Sequence, residues 1–92
     1  MEIIGRLSDA AQLVIGGQDF GRAVFDIVVF QANGLPHGGR GKLSCDFNLL
    51  YRALNGGDPQ LVLNTGETLR FSVVEISSDG AEIEVRGDVP GF

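Results

Sequence analysis

The chain has no tryptophan, one cysteine, one histidine and one methionine, and only seven lysines and arginines among 92 residues. Each scarcity removes a class of reading. With Cys45 alone, no intramolecular disulfide can form. Cys45 sits among apolar residues, where a free cysteine serves as a small core side chain. With His37 alone, a metal centre needs Asp or Glu partners at ligand spacing, and the local sequence offers none. A histidine-dependent triad needs a nucleophile nearby, and Cys45 is the only thiol. No cofactor is expected.

Seven cations stand against twelve acids, for a net charge of −5. A phosphate backbone is gripped by several Lys or Arg on one face. No run of cations exists here, so neither nucleic acid nor an anionic membrane is an expected partner. No apolar run nears the roughly 20 residues that cross a bilayer. The opening Met1-Glu2-Ile3-Ile4-Gly5 has no basic start and no long apolar stretch of the kind that directs secretion. A soluble cytoplasmic protein is the expectation.

What is abundant is glycine, with 14 residues, set mostly between apolar runs. That pattern reads as many turns joining short strands. Hydrophobic residues make up 43 % of the chain, enough for a packed core. Residues 1–92 read as one domain, since about 100 residues is an ordinary domain length.

The organising stretch runs from Phe20 to Gln31. Ala23, Phe25, Ile27 and Val29 form one apolar face. Val24, Val28 and Phe30 form another, interrupted by Asp26. A strand apolar on both faces calls for cover on both sides, or for a barrel interior with a helix outside. Two shorter strands are expected before it, Glu2–Leu7 and Ala11–Ile15, with Ser8-Asp9 as the turn between them and Gly16–Asp19 as the turn after.

Asn33–Gly41 (Asn-Gly-Leu-Pro-His-Gly-Gly-Arg-Gly) reads as a loop, because proline removes a donor and glycines favour irregular backbone. A strand resumes over Arg40–Cys45. The segment after it shows two periods. Leu43, Cys45, Phe47, Leu49 and Tyr51 alternate, yet Phe47, Leu50, Tyr51 and Leu54 fit a helical stripe. Asp46 or Ser44 can cap a helix, and Asn55-Gly56-Gly57-Asp58-Pro59 stops one. A helix over Asp46–Asn55 is therefore expected, held by burying that stripe.

Strands are expected at Leu61–Leu63, Leu69–Ile76 and Ala81–Val85, separated by turns at Asn64–Glu67 and Ser77–Gly80. Glu82 and Glu84 share the outer face of the last strand, where they keep it soluble and discourage edge pairing. Val89-Pro90-Gly91-Phe92 is a tail in which Phe92 either folds back or docks on a partner. The fold class expected is mostly β: an antiparallel, strongly curved sheet or small β-barrel of 6–7 strands, with one short helix near 46–55.

Three motifs bear on chemistry. Gly38-Gly39-Arg40-Gly41-Lys42 brings to mind a phosphate loop, but Leu43 follows where Ser or Thr is needed and Pro36 holds the first glycine position. His37, Arg40 and Lys42 are nonetheless the one local group of basic or titratable side chains, and so the candidate ligand-binding residues. Glu75-Ile76-Ser77-Ser78-Asp79-Gly80 resembles, at Ser77 and Gly80, the Asp/Asn-x-Ser-x-x-Gly motif of PilZ domains, small barrels that bind a cyclic dinucleotide. Glu75 replaces the Asp or Asn, and Arg6, Arg22, Arg40, Arg52, Arg70 and Arg86 supply no Arg-x-x-x-Arg pair. The chain is not assigned to that family.

Together these features lead to a small non-catalytic binding or interaction module. It would act through a sheet face or the 33–41 loop, on a protein partner or a second copy of itself. The alternative is a regulatory domain binding a small anion or nucleotide through the Gly-rich loop 33–42. An enzyme using carboxylates or Cys45 is not expected, since catalytic carboxylates need burial that an outward strand face does not provide.

Overall fold

A computed structural model describes residues 2–32, 35–86 and 89. It shows a closed barrel of six antiparallel strands with one helix. The strands are β1 (Glu2–Ile15), β2 (Gln18–Ala32), β3 (Leu35–Ser44), β4 (Gln60–Val62), β5 (Thr68–Ser77) and β6 (Gly80–Arg86). The helix α1 (Phe47–Leu54) lies between β3 and β4. Around the barrel the order is β1-β2-β3-β6-β5-β4, closed by β4 pairing with β1.

The interior follows from the period-two patterns. Ala23, Phe25, Ile27 and Val29 of β2 point inward and are buried. They meet Leu13 of β1, Leu43 of β3, Leu61 of β4, Leu69 and Phe71 of β5, and Ile83 and Val85 of β6. Leu50 and Ala53 of α1 join the same cluster, so the helix closes the barrel where β3 ends. Its exit is tied down by a hydrogen bond from the Gly16 amide to the Gly57 carbonyl.

Three expectations are corrected. The first concerns β1, which is one unbroken strand through Ser8-Asp9 rather than two strands and a turn. Ser8 bonds across the sheet, while Asp9 bonds the neighbouring backbone. The Ser8 hydroxyl donates across to Asp26 at 2.8 Å, and the Asp9 carboxylate accepts from the Ala10 amide at 2.8 Å.

The second concerns 33–41. Residues 35–41 belong to β3, paired to β2 on one side and, from Gly38 onward, to β6 on the other. Asn33 and Gly34 lie outside the described residues. The glycines work here as space. Gly41 stands in register between Ile27 and Ile83, and Gly39 between Val29 and Val85, all four of them buried. A Cβ on Gly41 would overlap the backbone carbonyl of Asp26, and one on Gly39 would sit 3.1 Å from the Val28 carbonyl oxygen. Small residues alternating with large ones let a narrow barrel fill its interior. Pairing on both sides then outweighs the weak strand preference of glycine.

The third concerns cover. The outer face of β2 is not overlaid by the helix, which packs against β5 and β6. Val24 is exposed, while Val28 and Phe30 are half-buried. Arg52 of α1 reaches β2 only at its start, with its guanidinium 5.3 Å from the Phe20 ring centre. The six-strand barrel with one helix is as expected; Phe92 lies outside the described residues.

The role of the β3 glycines is testable by chemical denaturation. Gly41→Ala forces two backbones apart and is expected to cost about 3 kcal/mol, the upper range for overpacking, while Gly39→Ala costs about 1 kcal/mol because the Val28 carbonyl and the Ile27 side chain need shift only slightly. Equal and small losses would show that β3 does not press on β2.

Candidate functional site

Antiparallel register sets outward side chains of the same parity side by side, and two such rows cross β1, β2, β3, β6 and β5. One row reads Ser8, Asp26, Lys42, Glu82, Glu75. The other reads Arg6, Val28, Arg40, Glu84, Ser72. Opposite charges across neighbouring strands attract, and like charges repel. Arg6 Nε lies 2.9 Å from Asp26 Oδ1, and Arg40 lies 3.7 Å from Glu84. Both pairs are solvent-exposed, so each contributes at most about 1 kcal/mol.

This arrangement places the three candidate ligand-binding residues. Arg40 and Lys42 point outward from β3 and are exposed. Arg40 is paired to Glu84, and Lys42 is flanked by Asp26 and Glu82 in register. The two cations are thus dispersed among carboxylates rather than gathered around an anion. His37 lies on β3 where the pairing with β2 shifts register, between the Phe30–Gly38 and Gln31–Pro36 partners.

Gly41, Lys42, Glu75, Ser77 and Glu82 line an open cleft of ≈ 380 Å³. Its size is at the low end for ligand pockets, which are about 300–1,000 Å³ and lined mainly by apolar groups. Its side chains are those of Lys42, Glu75, Ser77 and Glu82, so two of its three ionisable groups are acids. Glu75 and Glu82 face each other across β5 and β6, where the pairing shifts register. Among the described residues, no three of His, Cys, Asp and Glu come together in a way that could hold a metal ion.

Cys45 follows the end of β3, eight residues beyond His37. At about 3.3 Å per residue, the strand separates them by roughly 26 Å, so no thiol–imidazole pair can form. Cys45 is half-buried against the core. Its Sγ lies 3.7 Å from the Asp46 carbonyl oxygen. Burial pushes the thiol pKa up, and the Asp46 charge adds to the effect.

The feature that sequence reasoning misjudged is the helix. Asp46 caps it, its carboxylate accepting from the Asn48 amide at 2.8 Å. Of the eight residues Phe47–Leu54, six are apolar. A short amphipathic helix buries only three or four positions per two turns. Leu50 and Ala53 are buried and Leu49 packs partly on the core. Phe47, Tyr51 and Leu54 are left on the outside, 47 %, 54 % and 45 % exposed. The stripe expected to hold the helix down therefore contributes only Leu50, and its other three members face solvent. The excess of large apolar residues on so short a helix was the available signal.

Comparison with family models, with curated proteins and with solved structures returns no match. Among the described residues, no helix is long and apolar enough to cross a membrane.

The state of Cys45 can be read by alkylation. Its reaction with iodoacetamide should follow a pH profile whose midpoint lies above that of the same chain unfolded in denaturant. The sign for stability follows: the unfolded chain releases the proton first, so stability is lost as pH rises from the unfolded pKa toward the folded one. A midpoint at or below that of the unfolded chain would contradict the burial seen here.

Proposed function

We propose that this domain is a non-catalytic interaction module that docks a protein partner on the outward face of α1. One observation carries the reading. Three of the six large apolar side chains exposed among the described residues sit on this single helix. They stand at positions i, i+4 and i+7, which share one side of a helix. Exposed apolar residues scattered singly need no explanation, but a contiguous stripe does. Fully burying a side chain of this size yields about 1.5–3 kcal/mol, and each is already about half covered, so a partner would recover roughly 3 kcal/mol from the three.

The helix is suited to the task because its other side is anchored. Leu50 and Ala53 are locked in the core, and the cap and the Gly57 bond hold both ends. A docking element pre-ordered in this way loses little entropy on binding. The anion or nucleotide reading receives no comparable support, since Arg40 and Lys42 stand among Asp26, Glu82 and Glu84.

A peptide-display selection on the immobilised domain tests the proposal. Phe47→Ser/Tyr51→Ser/Leu54→Ser should keep the circular dichroism spectrum and cooperative melting of the parent, because the core contacts of Leu50 and Ala53 remain. Ligands selected on the parent should lose at least about tenfold in affinity for the variant. Ligands that bind both proteins equally would place the docking surface elsewhere.

A further inference from the structure

We infer that the partner segment for α1 is a basic amphipathic helix, with an apolar stripe for Phe47, Tyr51 and Leu54 and lysines or arginines along its flank. The inference rests on the docking role of α1 proposed above and adds the chemistry of the occupant.

The argument is one of charge and size. The helix packs against β5 and β6. The outward faces of these strands carry Glu75, Glu82 and Glu84 against one cation among the described side chains, Arg70. The turn between them carries exposed Asp79. That turn lies beside the start of α1, since a Cβ on Gly80 would come within 2.5 Å of the Leu43 carbonyl oxygen and 3.3 Å of the Ser44 hydroxyl. Asp46, the exposed helix cap, adds a further acid at the same end. The one cation on the helix, Arg52, is directed over the Phe20 ring on β2. The strands packed against α1 thus carry more acids than cations, with Glu84 paired to Arg40, Glu82 in register with Lys42, and Arg70 on β5.

A second copy of this chain is the poorer occupant. Two domains of net charge −5 repel each other. An eight-residue helix about 12 Å long and 10–12 Å across presents a face on the order of 120–140 Å², well short of the roughly 800 Å² per partner that a stable dimer buries. A single basic helix gains from the small apolar contact and from the acids together, and its encounter is steered by charge.

The test uses two fluorescein-labelled 18-residue helical peptides with the same leucine face, one with lysine and one with glutamate as the polar residue. Fluorescence anisotropy is recorded with the full chain at low and high salt. The leucine–lysine peptide should bind at least about tenfold more tightly than the leucine–glutamate one and weaken as salt rises. Phe47→Ser/Leu54→Ser should abolish that binding. Glu75→Gln/Glu82→Gln should weaken it several-fold, whereas Asp9→Asn/Glu67→Gln, which removes the same charge far from α1, should not. Equal binding of both peptides, lost in Phe47→Ser/Leu54→Ser, would keep the docking surface and overturn the basic partner. Lysine-peptide binding indifferent to Phe47→Ser/Leu54→Ser, or equally weakened by both charge variants, would overturn the inference as general attraction to an acidic protein. So would no binding of either peptide, or a dimer of the parent chain in sedimentation that Phe47→Ser/Leu54→Ser dissolves.

Discussion

The molecule depends on how closely β3 can approach β2. Gly41 and Gly39 stand opposite Ile27 and Val29, and a Cβ on either would press on the backbone of β2. On the other flank, the same two glycines stand in register with Ile83 and Val85. Protein interiors pack at the density of organic crystals, so a narrow barrel cannot hold large residues on every strand. Two positions on β3 without side chains let its backbone lie close against that of β2. The helix can then close the end of this narrow interior with only Leu50 and Ala53.

That economy shapes the surface. A helix that needs two buried residues and one partly buried one to stay in place has the rest of its apolar residues to spare. Phe47, Tyr51 and Leu54 are outside because the barrel end is already filled, and the acids of β5 and β6 are outside because period two puts them there. The proposed docking face arises where these two consequences meet. The cations once grouped by sequence proximity are instead distributed by strand register, each beside a carboxylate on the next strand.

Legibility differed from element to element for physical reasons. Strands β5 and β6 were readable because one face is wet and the other dry, so residue type and orientation agree. The helix was readable at its ends, where Asp46 and the Asn55-Gly56-Gly57 stop act through local hydrogen bonds and backbone freedom. Its facing was not, because six apolar residues in eight fit more than one stripe. Ser8-Asp9 read as a turn since those side chains often bond their own backbone, but Ser8 instead bonds across to Asp26, eighteen residues away in the chain.

What the amino-acid sequence determined by itself was local: where strands alternate, where the helix is capped and stopped, and that one antiparallel β-rich domain results. Those properties depend on side chains within a few residues of each other. Only the tertiary structure decided that the glycine-rich stretch is a strand, that Arg40 and Lys42 lie among acids, and that the helix turns Phe47, Tyr51 and Leu54 to solvent. Each of these depends on which residue arrives from a distant strand to occupy a limited interior. No pattern confined to one segment encodes how much of that space its neighbours have already taken.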